Sequence, residues 1–395
     1  MSGGFSSARL ARMRDVMAGY VQRGEIPGLV ALLSRRGETH AHAVGVQALG
    51  DNRPMRRDSI FRIASLTKPI TAAAAMILVE ECKLRLDEPV DRLLPELVNR
   101  RVLKRIDGPL GDTTPALRPI SVRDLLTLRM GLGHLMQPAR DWPIHKAIDE
   151  QQLLQGPPRP QSAPGPDEWI RRVAALPLMH QPGEKWLYDL GLDVLGVLIA
   201  RASGKSFGTF LRERLFEPLG MKDTDFSVPA GKLDRFTGSY TGALELYDGV
   251  QNSEWRRPPR FESGSGGLVS TADDYLAFCQ MMLNQGRHGA ARILSRASIE
   301  VMTTDQVTPE QRQGMEMFFG ANSSWGFGMS VITKRDDLCA VPGRFGWTGG
   351  LGTSAYADPR ENLVGILMTQ CMMDSPEPPR AYLDFWTLAY QALDD

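Results

Sequence analysis

The stretch Phe61-Arg62-Ile63-Ala64-Ser65-Leu66-Thr67-Lys68-Pro69 runs almost directly into Thr71-Ala72-Ala73-Ala74-Ala75-Met76-Ile77-Leu78-Val79. The second half favours helix. If Ser65 opens that helix, Lys68 lies three residues on and shares its face, within reach of the hydroxyl. Pro69 then falls in or beside the first turn, where a missing N–H costs least. A serine hydroxyl is a weak nucleophile until a neighbour takes its proton. A lysine desolvated beside the positive end of a helix has its pKa lowered toward that role. The same residues also fit a plain reading, a serine cap followed by a solvated lysine. Other segments have to decide.

N-terminal to this stretch, residues 9–24 carry Leu10, Met13, Val16, Met17, Tyr20 and Val21 on one stripe, an amphipathic helix capped at Ser6 or Ser7 and stopped at Gly24. Residues 28–34 and 39–47 are β-rich and joined by Arg35-Arg36-Gly37-Glu38, which reads as a hairpin. At the other end, residues 326–333, 352–357 and 362–369 read as strands and residues 380–393 as a helix. Both termini therefore build sheet. Between them, residues 69–81, 122–128, 168–175, 190–202, 207–215 and 272–285 favour helix. The stretches 108–119 and 156–166 are too rich in proline for regular structure and predict long surface loops, the kind that frame a cleft.

Composition narrows the classes. The chain has 395 residues, 46 Lys+Arg against 46 Asp+Glu, and no apolar run approaching the roughly 18 residues that span a bilayer. A chain this long buries roughly three-quarters of its unfolded surface, enough for two or three packed units. Zero formal net charge and the absence of any basic block leave no field to gather nucleic acid or anionic lipid. A small neutral substrate fits better. Cys82, Cys279, Cys339 and Cys371 are widely spaced, which signals neither a disulfide framework nor a zinc site and predicts reduced, mostly buried thiols. With no secretory pattern at the N-terminus, a cytoplasmic location is the expectation.

Four segments then settle the reading of Ser65. They are Ser65-Leu66-Thr67-Lys68; Gln181-Pro182-Gly183-Glu184-Lys185-Trp186-Leu187-Tyr188-Asp189-Leu190; Ser203-Gly204-Lys205-Ser206-Phe207 with Phe216-Glu217-Pro218-Leu219-Gly220-Met221-Lys222-Asp223-Thr224-Asp225; and Gly266-Gly267-Leu268-Val269-Ser270-Thr271-Ala272-Asp273-Asp274-Tyr275. In this order they resemble the serine β-lactamase/penicillin-binding-protein superfamily, in particular its class C-like branch of family VIII carboxylesterases. The resemblance covers nearly the whole chain. It implies an α+β fold: an antiparallel sheet built from both termini (residues 1–63 and 325–395) and flanked by helices. A largely helical domain (64–324) with long loops completes it, and the active site lies in the groove between the two.

Carried over by position, the resemblance makes Ser65 the acylated nucleophile, Lys68 its partner and Tyr188 the tyrosine that acts as, or assists, the general base. A phenol titrates near 10, so that role calls for nearby positive charge or a proton shared with Lys68. The family's third element, a Lys or His followed by Thr and Gly, falls on Trp347-Thr348-Gly349-Gly350. These residues are expected to bind substrate, with the Gly350 and Ser65 amides forming the oxyanion hole and the glycine letting the strand approach the carbonyl. Trp347 departs from the pattern, because an indole supplies no cation for a substrate carboxylate. Leu190 likewise stands where penicillin-recognising members carry an amide. Both changes favour uncharged esters.

Competing sites are weaker. Ser263 and Ser265 lack the glycine spacing of an α/β-hydrolase elbow. His40 and His42 alternate onto one strand face without a third ligand in sequence. His134 and His145 are candidates for a cleft wall, and Arg344 for a cation that replaces the one lost at Trp347. Ser270 to Asp274 reads as a helix cap. The reading is a serine esterase for short-chain acyl esters, without metal or cofactor, with a small-molecule ester as partner, no nucleic acid or membrane, and a homodimer as an open possibility. A β-lactamase, D-amino-acid peptidase or acyltransferase of the same fold is the alternative. A non-turning-over acyl-binding sensor is the alternative from another class.

Overall fold

Strict alternation along the first hairpin decides which side chains face which core. The computed structural model describes residues 3–134, 142–153 and 156–394. Helix α1 (Ser7–Gln22) leads into strands β1 (Gly28–Arg35) and β2 (Glu38–Gly45). Arg36 and Gly37, with φ of 49° and 85°, make the turn between them, the backbone a two-residue hairpin needs to match strand twist. Helices α2 (Thr67–Glu80), α3 (Leu190–Ser203) and α4 (Ala272–Leu283) follow. Strands β3 (Ser323–Trp325), β4 (Ser330–Ile332), β5 (Phe345–Gly349), β6 (Thr353–Asp358) and β7 (Leu363–Thr369) and helix α5 (Arg380–Gln391) close the chain.

The seven strands form one antiparallel sheet in the order β3-β4-β5-β6-β7-β1-β2. The chain's two ends meet where β1 pairs with β7, Leu29 opposite Thr369 and Arg35 opposite Leu363. On one face, Leu29, Ala31 and Leu33 pack with Leu10, Met13 and Met17 of α1 and Phe385 and Trp386 of α5. On the other, Val30, Leu32 and Ile366 join a core that runs through Ile70 and Met76 of α2 and Tyr275 and Phe278 of α4 into the helical region. Each fully buried aliphatic side chain contributes about 1.5–3 kcal/mol, so α2 is held against the sheet and against the helical region at once. The architecture is α+β, with a sheet from both termini, flanking helices and a large helical portion.

Several local expectations are corrected. Residues 326–333 are not one strand: β3 ends at Trp325, and Gly326 to Met329 form a tight turn closed by a Gly326 N–H to Met329 carbonyl bond of 2.9 Å. That turn presses on α2. Gly328, at φ +71°, has room for no Cβ, which would meet Ala72 Cβ at 2.7 Å and the Lys68 carbonyl at 2.8 Å. Ser6 occupies the cap of α1 without a side-chain cap bond. The stretch 108–119 contains a short strand, Thr113–Pro115, paired with Arg101–Leu103. Of the four free cysteines only Cys279 is fully buried, and Cys82 is exposed. No single helix among the described residues is long and apolar enough to cross a membrane.

Candidate active site

The nucleophile candidate sits on a bend enforced by its neighbours. Phe61 and Arg62 pair with Ser270 and Val269, and Ala64 takes φ +44° to open a single 3₁₀ turn, Ala64–Leu66, ahead of α2. Ser65 is therefore inside this turn and not the first residue of the α-helix. The three-residue offset survives: Lys68 Nζ lies 3.2 Å from Ser65 Oγ. Strand β5 closes on the same bend. A Cβ on Gly349 would meet the Ile63 carbonyl at 2.2 Å, whereas one on Gly350 would meet nothing. Gly349 thus packs on the bend at Ile63 and does not line the cavity, whereas Gly350 borders it.

Tyr188 comes from the loop before α3, where its backbone pairs with that of His134. Its hydroxyl lies 2.8 Å from Ser65 Oγ, and the Trp347 indole N–H donates to the same phenol oxygen at 2.9 Å. Lys68 Nζ stands 4.4 Å from the centroid of the Tyr188 ring. Ser65, Lys68 and Tyr188, read from two distant segments, converge on one hydroxyl. Trp347 borders the cavity as expected, yet its one polar atom is turned to the tyrosine.

Lys68 is completely buried, and its ammonium has three acceptors: Ser65 Oγ, Asp189 Oδ1 at 2.5 Å and the Ser265 carbonyl at 2.7 Å. Three N–H donors match three acceptors, a set that a neutral amine does not satisfy. Burial pushes the Lys68 pKa down, but the Asp189 carboxylate, with the Tyr188 and Asp193 charges, more than offsets it, and the net direction is upward. This corrects the expectation of a lysine poised to lose its proton: desolvation acts as supposed, but an ion partner reverses its effect.

That partner was missed from sequence, as were two others. Asp189 holds φ +82°, an uncommon backbone for a non-glycine residue. Ser265 donates its hydroxyl to the Asp189 carbonyl at 2.6 Å and its N–H to Asp193 Oδ1 at 2.9 Å. Ser263 Oγ donates to the same Asp193 oxygen at 2.7 Å. Gly264 keeps this loop tight against α3, since a Cβ there would meet the Leu192 carbonyl at 2.4 Å. Burial first, then the Asp189 charge, push the Asp193 carboxyl up to about 7, opposed by the Ser263 and Ser265 bonds and by Lys68. The available signal was general: a buried lysine requires an anion, and Asp189 adjoins Tyr188.

The site opens into a cavity of about 420 Å³. Ser65, Tyr188, Trp347, Thr348 and Gly350 line it, and the proline-rich stretch from Gly156 to Pro160 forms part of its wall. Phe261, Met317, Phe318, Tyr356, Met372 and Met373 make the surface largely apolar. His134 borders the cavity, whereas His145 is buried and stacked on Trp142 at 5.6 Å. Arg344 does not replace the cation missing at Trp347. Its guanidinium lies 3.9 Å from the Trp386 ring and 4.4 Å from the Tyr356 ring, with one N–H on the Cys339 carbonyl. Among the described residues no group of three or more His, Cys, Asp or Glu side chains is arranged to hold a metal.

A family model described as Beta-lactamase matches residues 13–386. Protein Rv1367c of Mycobacterium tuberculosis is 37% identical over 360 residues, covering 88% of this chain and 86% of its own. Esterase EstB of Burkholderia gladioli is 29% identical over 400 residues, covering 93% and 92% respectively. Among solved structures, EstCE1, described as a hydrolase with promiscuous acyltransferase activity, superposes with a TM-score of 0.77 at 25% identity, covering 97% of this chain and 99% of that one.

Proposed function

The chain belongs to the beta-lactamase family, matched over residues 13–386, and on that premise we propose that it is a serine carboxylesterase acting on uncharged, short-chain acyl esters. The observation that carries this reading is the 2.8 Å contact between the Tyr188 hydroxyl and Ser65 Oγ beside a buried ammonium. Likeness to an esterase across nearly the whole chain supports it.

In the proposed cycle, Tyr188 acts as the general base and takes the Ser65 proton while Oγ bonds to the ester carbonyl carbon. The carbonyl π pair moves onto oxygen, between the Ser65 and Gly350 amides. Each such donor is worth about 3 kcal/mol of barrier lowering. The oxyanion then collapses, the C–O bond to the alcohol breaks, and Tyr188 returns its proton to the departing alkoxide. Water repeats the sequence on the acyl-enzyme and releases the acid. Lys68, held charged by Asp189, supplies electrostatic support and orientation, not proton abstraction. The apolar cavity takes the alcohol portion of the ester, and an alcohol entering in place of water would turn hydrolysis into acyl transfer.

Parallel assays with p-nitrophenyl butyrate and a chromogenic cephalosporin test the reading. Steady ester turnover that disappears in a folded Ser65→Ala variant is expected. Rapid cephalosporin turnover without ester cleavage would replace it by a β-lactamase, and a single stoichiometric burst by an acyl-binding sensor.

A further inference from the structure

The buried side chain left unused by this cycle is Asp193. It is 1% exposed and lies on the first turn of α3, four residues beyond Asp189. One of its oxygens, Oδ1, takes both the Ser263 hydroxyl and the Ser265 N–H. Ser265 thereby spends all three of its polar groups on the site: its N–H on Asp193, its hydroxyl on the Asp189 carbonyl, and its carbonyl on Lys68 Nζ. Thr71 of α2 fixes the neighbouring Gly264 carbonyl at 2.7 Å. The loop is a rigid relay with Asp193 at one end and the catalytic ammonium at the other.

We propose that Asp193 is a positioning residue for Lys68, acting through Ser265, and that its ionised form is the one that holds the site in working geometry. The inference rests on the esterase reading above. The charged groups facing Asp193 are Asp189, from the segment before α3, and Lys68, from α2; the loop contributes the uncharged Ser263 and Ser265. Lys68 and Asp189 neutralise one another, so ionising Asp193 places one uncompensated negative charge in a water-poor space. That charge is stabilised by the two donors and by the ammonium. When Asp193 is protonated, two charge-assisted bonds become neutral ones of roughly half the strength. Ser265 is then freed to shift, and its carbonyl with it. Burial and the Asp189 charge place this change at about pH 7, within the range where a hydrolase is assayed.

The test is the pH dependence of kcat and KM for p-nitrophenyl butyrate between pH 5 and 9, in the wild-type chain, Asp193→Asn, Ser263→Ala and Ser65→Ala. The wild type is expected to lose kcat toward acid with a midpoint near 7. Asp193→Asn, which has no proton to take up, is expected to lack that limb and to sit roughly tenfold or more below the wild-type plateau, with KM changed less than twofold. Ser263→Ala removes a donor that favours the carboxylate, so its limb moves to higher pH. A purely structural role would leave the midpoint where it is. Superimposable normalised profiles for the wild type and Ser263→Ala, with the same limb retained in any Asp193→Asn that folds, would overturn the proposal. Turnover by Ser65→Ala would instead overturn the esterase reading, so the two failures are distinct.

Discussion

Replacing Asp189 by asparagine removes a charge and almost nothing else. Asparagine has the same shape, so the strained turn at Asp189, with φ 82° and ψ −71°, is the same in both proteins. What changes is the partner of an ammonium whose side chain is 0% exposed, bound at 2.5 Å by a carboxylate that is itself 18% exposed. Breaking one side of a buried pair leaves the other charge uncompensated and costs about 3–5 kcal/mol. The sign of the pH dependence follows from the direction of the Lys68 shift. In the wild type, Lys68 is raised above its unfolded value, so the stabilisation is complete below that value, near 10.5, and is lost as pH rises through the folded pKa. In Asp189→Asn the largest charge opposing desolvation is gone, so the folded value of Lys68 drops relative to the wild type and less stabilisation is left to lose as pH rises. The gap between the two proteins, read from urea unfolding at pH 7 and pH 9.5, is therefore widest at pH 7. Activity separates the roles of Lys68. If the ammonium supports Tyr188, ester turnover at neutral pH falls by about a hundredfold, at the lower end of what a proton-transfer apparatus contributes. A variant as stable as the wild type within about 0.5 kcal/mol, or one with raised turnover at neutral pH, would refute the ion-pair account and return Lys68 to the role of base.

Trp347→Phe keeps an aromatic ring against Trp325, 4.7 Å away, but removes the donor to the Tyr188 oxygen. The loss is about 1.5 kcal/mol, or roughly tenfold in kcat/KM for p-nitrophenyl butyrate, and an unchanged value would leave the indole N–H without a part in the reaction. Arg62→Leu leaves Asp248 buried without its guanidinium, bonded in the wild type at 2.8 Å. Denaturant unfolding is expected to register a loss of about 3–5 kcal/mol, partly restored by adding Asp248→Leu. Arg235, joined by Lys232, holds the Asp223 carboxyl down at about 2. A depressed carboxylate stabilises the fold above its unfolded value and loses that contribution as pH falls through the folded one. Asp223→Asn is thus expected to be about 1–2 kcal/mol less stable at pH 7, the difference closing between roughly pH 4 and pH 2.

What could be read in the residues was whatever depends on local period and spacing. The continuous apolar run at residues 29–33 marks a strand buried on both faces, and the stripe from Leu10 to Tyr20 marks the helix packed on one of them, because a helix that covers a sheet buries every third or fourth residue. Ser65 and Lys68 announce themselves through one helical offset. Tyr188 and the strand at Trp347 were found through resemblance, since no local rule brings them to Ser65. The break at Gly326 to Met329 was illegible because α2, distant in sequence, is what forces it. Lys68 was misjudged for a related reason: desolvation is predictable from a helix that buries all round, but the anion that reverses it enters from another segment. Ser265 was weighed only as a nucleophile and its supporting role was missed, because its links to Asp193 and Lys68 run through its N–H and carbonyl, which every residue other than proline carries.

Covalent labelling tests the central claim most directly. The intact protein is treated with a fluorophosphonate, weighed, digested and sequenced by mass spectrometry, with the rate of ester hydrolysis followed in parallel. The account predicts one adduct per chain, on the hydroxyl of Ser65, formed in step with the loss of activity and absent from Ser65→Ala. A label on Ser263, Ser265 or any other residue, or full inactivation with Ser65 unmodified, would contradict it.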